Sequence, residues 1–277
     1  MKFLLIVSII TVSSFPAASQ DLTVPVKPVK KVLTLKMART IDDEMPGTRG
    51  ASVAWHPVYK KYYAAMAGNT GYPLSIFDVT GKRLSPDSSN CDVDARGLWY
   101  NPDKKCIQGN TFDAAGWFRY DHTATGMIKE VQYLTDEMTQ PGPQCVGAFN
   151  HQNKDVLFLN GDEVWFYDVD EAVKGAVLKV HWGRTKSVGP NPDATNGLTP
   201  EAYNNSTVIY TGNKGAELGF LKPNSQEIEL YSIKTGFLTQ IIKLPSDAAI
   251  YHSFNFAYCN GMYWIFNIDT REWAGYK

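Results

Sequence analysis

The stretch LSIFDVTGKRL, residues 74–84, decides the fold because the chain repeats its design. An apolar run ends in an aromatic, a polar residue and a turn reaching Gly follow, and a second apolar run begins. WFRYDHTATGMIKEV (117–131), VWFYDVDEAVKGAVLKV (164–180) and IELYSIKTGFLTQIIKL (228–244) are built the same way. Between the closing aromatics the spacing is 43 residues from Phe77 to Tyr120, 47 to Tyr167, 64 to Tyr231 and 45 to Tyr276. Regular spacing of this size marks a repeat array. The long interval holds GRTKSVGPNPDATNGLTPEA (183–202), which is rich in Gly, Pro, Asn and Thr and reads as one inserted loop.

Upstream of each aromatic stands a second signal. SVAWHPVYKKYYAAM, GLWYNPDKKCIQGN, GAFNHQNKDVLFLN, TVIYTGNKGAELGF and FNFAYCNGMYWIFN are each two short apolar runs around a polar turn, the pattern of a β-hairpin. Each repeat therefore holds four strands, A to D from the inside outward. A and B form the hairpin, C carries the closing aromatic and D follows the Gly turn. Four antiparallel strands recurring in this way resemble the blade of a β-propeller. The aromatic-Asp-x-Thr-Gly closure at Phe77–Gly81 is similar to that of extracellular propeller repeats of the YVTN and quinoprotein-like kind, without assigning a family. The resemblance implies an all-β fold, a five-bladed propeller of four-stranded antiparallel blades, over residues 30–277.

The two chain ends fit together. The fifth repeat stops at Lys277, before a strand D. KKVLTLKMART (30–40) is a strand without a blade, and its Leu33, Leu35 and Met37 alternate as a D strand requires. The N-terminal strand is expected to complete the last blade, because an unpaired strand C would leave an edge open to aggregation. Residues 20–29 read as a linker. Residues 1–19 have a basic start, an apolar run too short to span a bilayer and small residues before Gln20, the organisation of a signal peptide. A secreted or periplasmic protein with no membrane span is expected.

Net charge is -1, from 27 basic and 28 acidic residues in 277, so no basic excess exists to neutralise a nucleic acid. The four cysteines, Cys91, Cys106, Cys145 and Cys259, contain no CxxC pair and imply no zinc site. Cys91 and Cys145 enter neighbouring blades, where either a disulfide or free buried thiols would fit. No phosphate loop, EF-hand or nucleophile elbow occurs, and no cofactor or metal is implied.

The connections between blades, from D to A, are long, and long loops on a rigid scaffold carry binding function. The expected ligand-binding residues are therefore Arg49, Asp94, Arg96, Glu201 and His252, at the long-loop mouth of the central channel. Arg49-Gly50 and Arg96-Gly97 stand just before two inner strands, where Arg could fork onto a carboxylate or sulfate, or else pair with an acid of a neighbouring loop. His56 and His151 read as equivalent turn positions. The expected function is a binding module for a small molecule, glycan or protein partner. The alternative is a carbohydrate-active hydrolase using Glu44, Asp94 and Glu201 as channel-mouth carboxylates.

Overall fold

Five sheets stand radially around a channel in the computed structural model, which describes residues 24–39, 49–112, 115–135, 137–186 and 199–277. The first blade contains Arg49–His56, Lys61–Ala67 and Leu74–Phe77. Its outer edge is continued by an irregular segment, held where Leu84 N–H donates to Ile76 O at 2.7 Å. The second blade is Ala95–Asn101, Cys106–Thr111, Trp117–His122 and Ile128–Tyr133. The third is Ala148–Asn150, Asp155–Asn160, Glu163–Asp168 and Lys174–Lys179, and the fourth Ile209–Tyr210, Leu218–Lys222, Glu227–Tyr231 and Leu238–Lys243. The fifth is Phe256–Cys259, Met262–Asn267 and Glu272–Tyr276, completed by Lys31–Lys36 from the N-terminal side.

The packing shows why the count is five. Apolar clusters fill the gaps between successive blades, as expected when side chains alternate across both faces of each sheet. Tyr63 and Ile76 meet Leu98 and Phe118 between blades one and two. Trp99 and Trp117 meet Phe158 and Tyr167 between two and three. Leu157 meets Phe220 between three and four, and Leu230 meets Phe256 between four and five. The ring closes where Leu35, Trp264 and Trp273 of the fifth blade pack on Val53, Tyr62 and Phe77 of the first.

The clasp is as the alternation requires. Lys31–Lys36 runs antiparallel to Glu272–Tyr276, with Leu35 opposite Trp273, and Leu35 is fully buried. Lys30 and Lys277 exchange both main-chain hydrogen bonds, at 3.1 and 3.0 Å. The chain upstream adds a second closure. Val26–Pro28, inside the segment read as a linker, pairs parallel with Ile241–Lys243 on the outer edge of blade four. Its proline tolerates this place because an edge strand can lack one donor.

Within each blade the hairpin turns share one chemistry. The pairs His56↔Lys61, Asn101↔Cys106 and Asn150↔Asp155 close four-residue loops. The buried polar residue at the start of each loop accepts from main-chain N–H groups inside it: Asn101 Oδ1 from Asp103 at 3.0 Å, Asn150 Oδ1 from Gln152 at 3.0 Å, His56 Nδ1 from Tyr59 at 3.4 Å. The third-blade equivalent of His56 is thus Asn150, and His151 lies one residue beyond it.

Candidate functional site

The two ends of the channel are built differently. At the end beneath the long D-to-A connections, hydrogen bonds tie each blade to the next. Gly50 N–H donates to Asn255 Oδ1 at 2.7 Å, and Asn255 N–H returns a bond to Gly50 O at 3.1 Å, joining blades five and one. Gly68 N–H donates to Asp94 Oδ1 at 2.9 Å between one and two. Asn110 Nδ2 donates to Cys145 O at 2.9 Å, and Asn110 Oδ1 accepts from Gly147 N–H at 3.0 Å, between two and three. Val146 N–H donates to Ser206 O at 2.9 Å between three and four. Asn204 Nδ2 donates to Phe254 O at 2.9 Å between four and five.

Of the two arginines expected to bind ligand, Arg96 is buried in this seal, and Arg49 stands exposed at its edge. Phe254 is 2% exposed, and the guanidinium carbons of Arg49 and Arg96 both lie 5.5 Å from its ring centroid. Arg96 also lies 4.7 Å over Phe112, is buried, and forks onto both carboxylate oxygens of Asp94. Its fork is thus occupied by an acid of its own connection. Each Arg-Gly pair marks a β-bulge at the start of an inner strand. A Cβ on Gly97 would lie 2.5 Å from Asn110 Oδ1 and 2.6 Å from Gly147 N, so glycine is required there for close approach. Arg49, Asp94 and Arg96 are therefore gathered around Phe254. Glu201 stands exposed on a short 3-10 turn, where a hydrogen bond from the Thr199 side chain holds its carboxyl below the usual range. His252 is exposed as well. Glu44, like the expected signal peptide, lies outside the described residues.

A cavity of about 500 Å³ occupies the remainder of the channel. Its wall runs from Ser52 and Leu98 within the inner strands, and Thr207 just before one, to the hairpin turns at Pro57, Pro102, His151 and Asn260. It therefore opens on the face of the short inner turns, opposite the long connections. Each inner strand is the end strand of its sheet, so its free main-chain edge is available to the channel. One aromatic per blade, at the last positions before the turn, surrounds the mouth: Trp55, Tyr100, Phe149, Tyr210 and Tyr258. Among the described residues, no Asp, Glu, Lys or Arg lines the cavity. Burial raises the phenols of Tyr100 and Tyr258, and burial with the nearby Glu217 pushes Tyr210 up to about 12, so this collar is uncharged at neutral pH. The hydroxyls of Thr207 and Tyr210 are buried beside the cavity with no hydrogen-bond partner among the described residues. Such groups are satisfied by water or by a bound molecule.

The sequence carried a signal for the collar that the closing aromatics of strand C overshadowed. An aromatic recurs just before every hairpin turn, whereas the strand C aromatics are core residues: Phe77, Tyr120 and Tyr231 are all fully buried.

Other polar clusters are satisfied structurally. Buried Glu229 accepts from Tyr231 Oη at 2.5 Å, Tyr203 Oη at 2.6 Å and Lys222 Nζ at 3.0 Å, and Tyr231 Oη accepts from Gly183 N–H at 2.8 Å. This network pins both ends of the connection that leads into blade four. All four cysteines are free thiols, and Cys91 donates to Pro73 O at 3.5 Å rather than bridging to Cys145. Burial raises the Cys145 thiol to about 11, which keeps it protonated. Among the described residues, no group of three or more His, Cys, Asp or Glu is placed to hold a metal ion, and no helix is long and apolar enough to cross a membrane.

No protein-family model matches the chain, and no curated protein matches it. Among solved structures it is similar to the glutaminyl cyclase of Myxococcus xanthus, with 10% identity, a TM-score of 0.53, and coverage of 92% of this chain and 98% of that one. At that identity the likeness shows the fold alone, a five-bladed β-propeller. A chain of the nidogen/laminin complex aligns with 8% identity over 70% of this chain and 63% of that one, with a TM-score of 0.42.

Proposed function

We propose that this protein is a ligand-binding propeller whose site is the central channel, entered from the face of the short inner turns. The observation that carries the reading is the cavity itself. It is ringed by one aromatic from each blade and, among the described residues, lined by no charged side chain. About 500 Å³ is the size of a small-molecule site, and apolar walls with a few polar points are its usual composition. The ligand is therefore a small molecule with a ring or another apolar body, stacked within the collar.

A hydrolase would need two carboxyls roughly 5–10 Å apart facing an open site. Among the described residues, Asp94 is engaged by Arg96, Glu201 stands on the opposite face and the cavity wall has no carboxylate, which does not favour that chemistry. Export is part of the proposal and rests on residues 1–19; finding Gln20 as the first residue of the mature chain would support it.

The binding test is a fluorescence titration of the mature protein with environment-sensitive naphthalene dyes. Saturable binding, weakened by Phe149→Ala and by Tyr258→Ala, is the expected result. Binding indifferent to both substitutions would overturn the reading.

A further inference from the structure

The turns around the mouth carry an excess of basic residues. The inner hairpin loops hold Lys60, Lys104, Lys105, Lys154 and Lys214 against two acids, Asp103 and Glu217, in a chain whose net charge is -1. Glu217 is buried and accepts main-chain bonds from Gly215 at 2.7 Å and Ile233 at 3.0 Å. Asp103 pairs with Lys154 at 2.6 Å, and Lys104 pairs with Asp170 of an outer turn at 3.2 Å. Lys60, Lys105 and Lys214 remain. All three are exposed, and no ammonium partner of theirs is found among the described residues.

The backbone adds an independent observation. Lys60, Lys105 and Lys154 end their loops at φ of 52°, 54° and 63°, in the left-handed region. Gly or Asn fits there with less strain, and the fifth blade places Asn260 and Gly261 in its own turn at φ of 51° and 71°. Three of the five blades thus place lysine at a position where local conformation favours another residue. Lys154 is compensated by its pairing with Asp103, whereas Lys60 and Lys105 have no such partner among the described residues, and uncompensated departures of this kind mark functional positions.

Resting on the channel reading above, we propose that the ligand is an anionic ring compound, with its apolar body among Trp55, Phe149 and Tyr258 and its carboxylate or sulfonate at the mouth beside Lys60, Lys105 and Lys214. Neutral walls and a cationic rim divide such a molecule between them. The body is stacked and desolvated, while the acid keeps part of its water, so the charge is held without the cost of burial.

Two dyes that share one ring system separate the claims. Anilinonaphthalene sulfonate carries the anion; N-phenylnaphthylamine has the same rings without it. For the mature chain at low salt, we expect the sulfonate to bind with one-to-one stoichiometry and about tenfold tighter than the neutral dye, with the difference shrinking as salt screens the rim. The triple variant Lys60→Gln, Lys105→Gln, Lys214→Gln should bring the sulfonate down to the neutral dye's affinity. Unchanged binding of the neutral dye by the same variant would show that its fold and channel are intact. Equal affinity for the two dyes in the unmodified protein, or no effect of the triple variant on the sulfonate, would overturn the anion claim and leave the channel reading standing. Binding of neither dye would remove the channel reading, and this inference with it.

Discussion

The two ends of the channel use the same five inner strands and reach opposite outcomes. Where those strands begin, glycine and asparagine bring the blades within hydrogen-bonding distance, and the buried ring of Phe254 packs against Arg49 and Arg96. Where they end, each strand presents an aromatic and turns back through a short loop, which leaves a cavity. The long connections cover the rigid end and the short turns frame the open one. Loop length indicates where sequence has room to vary, but the side chains at the strand ends decide which end is hollow.

If this contrast is right, equal-sized changes should cost stability at one end and binding at the other. The largest expected effect is Gly97→Ala. The new methyl would press on Asn110 Oδ1 and on the Gly147 main chain, neither of which can move without breaking the blade two to blade three joint. We expect a loss of about 3 kcal/mol in unfolding free energy, read from the urea midpoint. Asn255→Ala comes next. It removes the acceptor of a buried Gly50 N–H and puts alanine at φ of 57°, for a cost of about 2 kcal/mol by the same measurement. A smaller stability effect, about 1 kcal/mol, is expected for Phe149→Ala or Tyr258→Ala, since both side chains are only partly buried at the mouth. For these two the main effect should be on dye affinity, a loss of about tenfold, equivalent to about 1.4 kcal/mol. Similar stability costs at both ends would break the comparison.

The last effect, negligible at neutral pH and felt only in acid, is pH dependence on the open side. His56 and His122 lie between blades one and two with ring centroids 5.4 Å apart, below the turn that carries Lys60. Burial, with His56 adding a like charge, lowers His122 to about 4, and burial lowers His56 as well. Their folded values lie below the unfolded value near 6.5, so the unfolded chain binds protons more readily. The stabilising contribution is present above pH 6.5 and is lost as pH falls from there toward about 4. His122→Gln should flatten this slope in urea titrations at a series of pH values. An unaltered slope would show that the pair does not titrate on unfolding.

Much of the scaffold was legible because it rests on periodic features. The aromatic at the end of strand C recurs since each blade needs one large side chain against its neighbour, and Leu33, Leu35 and Met37 alternate since a D strand buries one face. The parallel strand Val26–Pro28 left no such trace. It lies on an outer edge, its side chains are exposed, and two prolines disguise it as a linker. The seal was hidden for a related reason. Asn110, Asn204 and Asn255 are buried hydrogen-bonding residues, yet in sequence they look like any loop asparagine. The Arg-Gly pairs drew attention to the arginines, whereas at Gly97 the glycine is the residue that the close approach of two blades demands. The collar could have been found by aligning the residue before each turn, an offset that strand C periodicity does not reveal.

Amide hydrogen exchange of the protein, with and without saturating anilinonaphthalene sulfonate, tests the central claim most directly, because it reports both ends of the channel at once. The account predicts slower exchange with dye in the five hairpins around residues 55–61, 100–106, 149–155, 210–216 and 258–262, and no change in residues 85–97 or 245–255. Protection confined to those two connections, with the hairpins unaffected, would contradict it.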